Sequence, residues 1–181
     1  PGNHDTYYKN TNELNALKEC LGHYMNEVHI IMEPTVMQYG SLSMALLPWI
    51  CADNYEPSMS FIRDCKADWL GAHLELANFE IGRGILAPHG MDAKIFKKFE
   101  QVLSGHYHTA SRRDNIWYLG NPMEFFWSDA HDPKFFHILD TESRQIEKIR
   151  NTYTLFEKIV YNDKEIDYNS YNKNLSKKFV K

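Results

Sequence analysis

Two histidines stand two residues apart in Gly105-His106-Tyr107-His108. The preceding Gln101-Val102-Leu103-Ser104 reads as a short buried strand, and the glycine opens a turn at its end. Side chains at i and i+2 of an extended backbone point to the same side. An imidazole nitrogen binds zinc at roughly 2.0–2.1 Å, so two such rings serve one metal centre or two adjacent ones. The plain alternative is a surface His-Tyr-His turn with no ligand. Two other stretches weigh against it. The chain opens with Pro1-Gly2-Asn3-His4-Asp5, and Gly71-Ala72-His73 lies between the two. Each of the three falls at an expected strand end or loop.

The ligand types collected on these stretches are Asn3, His4, His73, His106 and His108. Imidazole nitrogens with an amide oxygen suit first-row divalent ions such as Mn, Fe or Zn, rather than Ca or Mg alone. Thiolates take no part: Cys20, Cys51 and Cys65 show no paired spacing and no C-x-x-C, and read as reduced thiols. A compact structural site draws its ligands from close neighbours, whereas these run from position 3 to position 108. Such a spread is usual for a catalytic site built on a sheet.

The elements that must carry them follow from pattern. Thr11 to Cys20 reads as a helix, capped by Thr11 or Asn12, striped by Leu14, Leu17 and Leu21, and stopped at Gly22. Val28 to Met32 reads as a strand. Thr35 to Gln38 and Ser41 to Leu47 flank Tyr39-Gly40 as a hairpin, closed by Pro48. Pro57 to Lys66 reads as a helix with Met59, Phe61 and Ile62 inward, and Asp68 to His73 as a strand ending on the histidine. Glu75 to Gly90, with Gly82, Gly84, Pro88 and Gly90, reads as a long loop of the kind that is often functional. Asp92 to Phe99 reads as a helix with Ile95, Phe96 and Phe99 inward. Ile116 to Leu119 is a strand before the Gly120-Asn121-Pro122 turn. Phe135 to Asp140 and Gln145 to Arg150 form a hairpin. Leu155 to Tyr161 is extended, Asn162 to Asn174 reads as a linker, and Leu175 to Val180 begins another strand. Strands alternate with helices in the first half and dominate the second. The expected class is an α/β layered sandwich with its chemistry on loops at strand ends.

A chain of 181 residues is long enough for one domain with a real core. A net charge of -4 advertises no nucleic-acid surface by charge alone, although bound divalent cations would add positive charge where a phosphate sits. No apolar run approaches the length of a membrane span. The first residue is a proline inside a motif, so the chain reads as a piece of a longer protein. No P-loop is present, and Gly82-x-Gly84 lacks the setting of a nucleotide fingerprint. Trp117, Trp127, Phe125 and Phe126 read as core or interface packing residues rather than base-stacking ones. His23, His29 and His137 read as surface or core-edge residues, while His89 and His131 stay open as substrate contacts.

Gly2-Asn3-His4-Asp5, Ala72-His73 and Gly105-His106-Tyr107-His108, in that order, resemble the latter part of the calcineurin-like metallophosphoesterase signature. The full pattern reads D-x-H, G-D-x-x-D, G-N-H-D or G-N-H-E, a lone His, and G-H-x-H. Within that superfamily the chain is most similar to the SbcD-type DNA repair nucleases, in particular phage recombination endonuclease subunits. Leu47-Pro48-Trp49-Ile50, His73-Leu74-Glu75, His89-Gly90, Tyr118-Leu119-Gly120-Asn121-Pro122, Asp132-Pro133 and Leu139-Asp140-Thr141 fall in the expected order. Asn174-Leu175-Ser176 resembles the start of the capping domain of those nucleases.

The resemblance implies an αββα sandwich, here without its N-terminal strands, with residues 1–150 in the nuclease domain and 151–181 leading into the cap. It implies two divalent ions, Mn foremost, with Mg, Fe or Zn as alternatives. Asn3, His73 and His106 would bind one and His108 the other. His4 would stand beside the scissile phosphate and assist the leaving oxygen, with Asp5 orienting it. It also implies DNA as substrate, an SbcC-type coiled-coil ATPase as partner, a homodimer, and the host cytoplasm as location. Ala72 stands where relatives often carry glycine, a small change. The D-x-H and G-D-x-x-D motifs would lie upstream of Pro1, so the isolated chain is expected to be inactive or nearly so. The rival readings are a metallophosphoesterase acting on other phosphodiesters or phosphomonoesters, and a non-catalytic DNA-binding subunit.

Overall fold

The hairpin expected around Tyr39-Gly40 forms in the computed structural model. Strand β1, Thr35–Tyr39, pairs antiparallel with β2, Leu42–Leu47, and Gly40 turns between them at a φ of +57°, where glycine pays no Cβ penalty. Strand β3, Trp69–His73, follows the helix of residues 55–64 described below. Next come β4, Glu80–Gly82, and β5, Ile85–Leu86, a small antiparallel hairpin, then β6, Gln101–Gly105, β7, Ser111–Arg113, and β8, Ile116–Tyr118. Strands β9, Lys134–Leu139, and β10, Ile146–Asn151, form the expected second hairpin. Strands β11, Phe156–Glu157, and β12, Phe179–Val180, pair in parallel. The structure describes residues 1–24, 26–82, 84–160, 162, 164–167 and 173–181.

Among these residues the largest sheet has six strands in the order β1-β2-β3-β6-β8-β7. Its four middle strands run parallel and its two edge strands antiparallel. The register stacks Ala45, Leu70, Val102 and Ile116 across one face, each no more than 2% exposed. Tyr118, Leu47, Ile62, Phe96 and Phe99 join them in the core. The opposite face carries Leu46, Leu103 and Trp117 in one row, all half-buried, with His73 at its carboxyl end. The chain is thus a mixed α/β structure with few helices. No described helix is long and apolar enough to cross a membrane.

Helix α1 is Ala16–Leu21, shorter than the expected Thr11 to Cys20. Asn15 is its cap, accepting the Lys18 N–H at 2.9 Å, while Asn12 donates instead to the Trp49 carbonyl at 2.7 Å. None of its residues is buried, so the leucine stripe has no core to face. Gly22 caps its C-terminus, where the helix was expected to stop, and also begins a 3-10 turn, Gly22–Tyr24. Helix α2, Tyr55–Asp64, forms two residues earlier than the expected Pro57 to Lys66, with Ser58 and Ile62 buried and Met59 and Phe61 partly so. Val28 to Met32 joins no sheet: its β-branched residues suit a strand, but it meets no strand edge. The Glu75 to Gly90 loop contains the β4–β5 hairpin. Asp92 to Phe99 holds only a 3-10 turn, Ala93–Phe96, with Ile95 exposed. The Asn115 side chain takes the Phe96 and Phe99 carbonyls at 3.0 and 2.7 Å, occupying the acceptors that a continuing helix would use. Of the extended stretch at 155–161 only β11 is a strand. Residue 161, and residues 163 and 168–172 of the expected linker, lie outside the described residues.

Candidate functional site

Asn3, His73 and His106 meet at one point. Asn3 Oδ1 lies 2.9 Å from His73 Nε2 and 3.3 Å from His106 Nδ1. Pairing of β3 with β6 sets His73 opposite Gly105, one residue before His106. The two rings stand nearly perpendicular, with centroids 5.2 Å apart. Trp49 stacks on His106 at 5.5 Å and meets the His73 ring edge-on at 5.9 Å. Its amide donates to the Pro1 carbonyl at 2.8 Å, which pins the N-terminal turn to the loop after β2.

Two glycines make room for His73. A Cβ on Gly2 would fall 2.7 Å from its Cε1, and one on Gly105 would fall 2.9 Å from its Nδ1. His106 adopts a φ of +86°, a conformation that a residue with a Cβ rarely takes and that costs roughly 1–3 kcal/mol where it persists. Asp5 Oδ2 accepts the Gly2 N–H at 2.6 Å and closes the turn that presents Asn3. His4 is exposed on the same turn.

Burial, reinforced by the neighbouring His106, lowers the pKa of His73 from 6.5 to about 4. Burial also lowers that of His106, against the pull of Glu75 and with help from His4 and His108. Both rings are therefore neutral at pH 7, and each holds a lone pair for a hydrogen or a cation. Two ligands about 2.1 Å from one ion, at angles between octahedral and tetrahedral, lie about 3.0–3.4 Å apart. The spacings around Asn3 Oδ1 are of that size. Among the described residues no three His, Cys, Asp or Glu side chains gather into a metal cage, the third donor here being an amide oxygen.

His108 lies on the other side of the turn. Its Nδ1 is 3.4 Å from Asp129 Oδ1, and its ring stacks on Phe126 at 5.5 Å with 8° between planes. Tyr107 between the two histidines points inward, its hydroxyl donating to the Leu76 carbonyl at 2.9 Å. His106 and His108 both line one cavity of about 250 Å³, together with Phe126, Asp129 and Asp132. They share it although the positive φ at His106 breaks the extended run from which a common side was expected.

Under His108 sits a buried charge network. Lys134, 3% exposed, donates to the His108 carbonyl at 3.1 Å, Asn121 Oδ1 at 3.3 Å, Asp129 Oδ1 at 3.3 Å and Asp132 Oδ2 at 2.9 Å. Burial pushes the Asp129 carboxyl up, but the Phe125 and Phe126 amides and the Lys134 ammonium outweigh it and leave it below the usual carboxylate range. His131 takes a φ of +67° and donates its amide to Glu124 Oε1 at 3.2 Å, while its side chain is exposed with Nε2 3.9 Å from Glu157 Oε1. His89, His23 and His29 are exposed, and His137 stands edge-on to Trp117 at 5.3 Å.

The chain is similar to Exonuclease subunit 1 of Enterobacteria phage T4. The two are 34% identical over 180 residues, which is 99% of this chain and 52% of the phage protein. The chain thus spans about half the length of the curated relative it matches. No family model matches it.

Several residues of the site escaped the sequence reading. Trp49 is legible only as part of the Leu47-Pro48-Trp49-Ile50 stretch, without a role, and Asp129 and Lys134 look like ordinary surface charges until the fold buries them. Asn121 carried a signal in the Gly-Asn-Pro turn. Gly2 and Gly105 were legible as turn residues, but not as the two walls of the His73 slot.

Proposed function

We propose that this chain is part of a metal-dependent DNA nuclease of the calcineurin-like metallophosphoesterase superfamily, SbcD type, hydrolysing phosphodiester bonds in recombination or break repair. The observation that carries the reading is the meeting of Asn3 Oδ1 with two neutral imidazoles from distant strand ends. Similarity to a phage protein named as an exonuclease subunit supports DNA as the substrate and a multi-subunit assembly. An SbcC-type ATPase, a homodimer and the host cytoplasm remain part of the proposal by resemblance.

The half-buried row of Leu46, Leu103 and Trp117 supports the αββα sandwich. Parallel strands are normally covered on both faces, so a second layer belongs over this one. Residues 1–150 form the nuclease part in this reading, and 151–181 lead away from it. Glu124 holds the junction, accepting the Leu155 and Phe156 amides at 2.6 and 2.8 Å.

Asn3, His73 and His106 would hold one divalent ion and His108 the other, with Mn foremost and Mg, Fe or Zn as alternatives. Such a pair, when bound, polarises the phosphate and offsets the charge of in-line displacement. The remaining chemistry belongs to the chain. Exposed His4, next to Asn3, gives a proton to the departing oxygen, the role for which imidazole is suited near neutrality. Asp5 fixes the turn that aims it. Trp49, Gly2 and Gly105 hold the rings in place, and Lys134 holds the His108 carbonyl.

The test uses the gene's complete product with Mn, on DNA and on a small chromogenic phosphodiester. Chelator-sensitive cleavage that favours DNA, and is lost in His106→Ala, is expected. Preference for the small diester moves the reading to another metallophosphoesterase. DNA binding without cleavage under every divalent ion would leave a non-catalytic subunit.

A further inference from the structure

We propose that Phe125 and Phe126 form a stacking platform for an unpaired nucleobase at the mouth of the His106–His108 cavity, so that the strand is engaged at a frayed or single-stranded end. This rests on the nuclease reading and goes beyond it in naming the form of the substrate.

Core packing, one of the two roles expected of these four aromatic residues, is not what Phe125 and Phe126 do. Trp127 packs on Phe156 at 4.8 Å and Trp117 lies under Arg112 at 5.5 Å. Phe125 and Phe126, in contrast, are 51% and 58% exposed. Two adjacent rings in water are unfavourable and ordinarily fold inward. Here both stay exposed on an anchored stretch of backbone. Asp129 Oδ2 accepts the Phe125 and Phe126 amides at 2.9 and 3.0 Å. Asp129 is itself 3% exposed and fixed by Asn121 and Lys134. A buried carboxylate therefore anchors the backbone from which both exposed rings project.

Their placement selects the ligand. Phe126 lies parallel to His108, and Phe125 stands edge-on to it at 6.2 Å. Phe126 lines the same cavity as both histidines. A phosphate group has no use for an apolar ring, but a nucleotide presents a flat π-face within reach of its own phosphate. Stacking on an aromatic side chain accepts any base, so it needs no base-specific hydrogen bonds. To stack there the base must leave its own duplex, which is easiest at an end.

The experiment pairs substrate and protein changes in the gene's complete product. Oligonucleotides carry a single abasic residue walked through the first positions from each end. At one position the wild type should cut the abasic strand about 5- to 100-fold less efficiently, the range that base–aromatic stacking supplies. Phe125→Ala/Phe126→Ala should cut abasic and intact strands alike, and Phe126→Trp should restore the difference. Discrimination that survives in the double variant overturns the platform. So does a wild type indifferent to every abasic position, as when another protein segment covers the rings. A wild type that cuts no DNA removes the nuclease reading first, and the platform with it.

Discussion

Asn3 Oδ1 lies 2.9 Å from His73 Nε2, across seventy positions of sequence. The contact exists because the Gly2–Asp5 turn and the end of β3 press on each other with no side chain between them. The same arrangement makes the site sensitive to the smallest of substitutions.

Gly2→Ala and Gly105→Ala each place a methyl group within 3.0 Å of the His73 ring. The ring must move. Overpacking of this kind costs roughly 1–3 kcal/mol of stability. Calorimetric titration with Mn should show weakened binding in both variants, more than in Gly82→Ala, where a Cβ meets open space. Equal binding in all three would remove His73 from the ligand set.

The folded pKa of His73, about 4, lies below its unfolded value of 6.5. The unfolded chain therefore takes up the proton first as pH falls. The stabilising contribution is complete above about pH 6.5 and is lost progressively toward pH 4. His106, also lowered, adds to the same slope. Urea midpoints of the metal-free protein should fall across this window, and less steeply in His73→Gln. Parallel curves for the two proteins would show that His73 titrates normally.

Lys134→Met leaves Asp129 and Asp132 without their ammonium in a buried setting. Breaking a buried pair from one side costs about 3–5 kcal/mol. Chemical denaturation should show a loss of this order, with part of it recovered in Lys134→Met/Asp129→Asn. A variant as stable as the wild type would mean that water reaches the network.

The 181-residue chain by itself should show no Mn-dependent phosphodiesterase activity above background. In the proposed reading, the carboxylates that would complete a two-metal site come, by resemblance, from D-x-H and G-D-x-x-D motifs. A signal from the purified chain that disappears in His106→Ala would overturn this expectation.

Strands and ligand types were readable from local pattern. The β1–β2 and β9–β10 hairpins are short extended runs on either side of turn residues, and β3 and β6 are short runs that lead to the histidines. What the pattern could not show was competition for backbone groups. Asn12 reads as a helix cap but serves the Trp49 carbonyl, and Asn115 intercepts carbonyls that would have lengthened the turn at Ala93–Phe96. Val28 to Met32 has the composition of a strand without a neighbour to pair with. Lys134 and Asp129 illustrate the same limit at the site, since burial of a charge is decided by residues far away in sequence.

The left-handed backbone at His106 sets a trap for protein engineering. Glycine is the residue that would relax that peptide, and a search for thermostable variants would select it early. The gain would come from deleting the imidazole that faces Asn3. If His106 holds a metal as proposed, position 106 trades stability for chemistry, and a library sorted on melting temperature alone would drift toward a firmer but chemically silent protein.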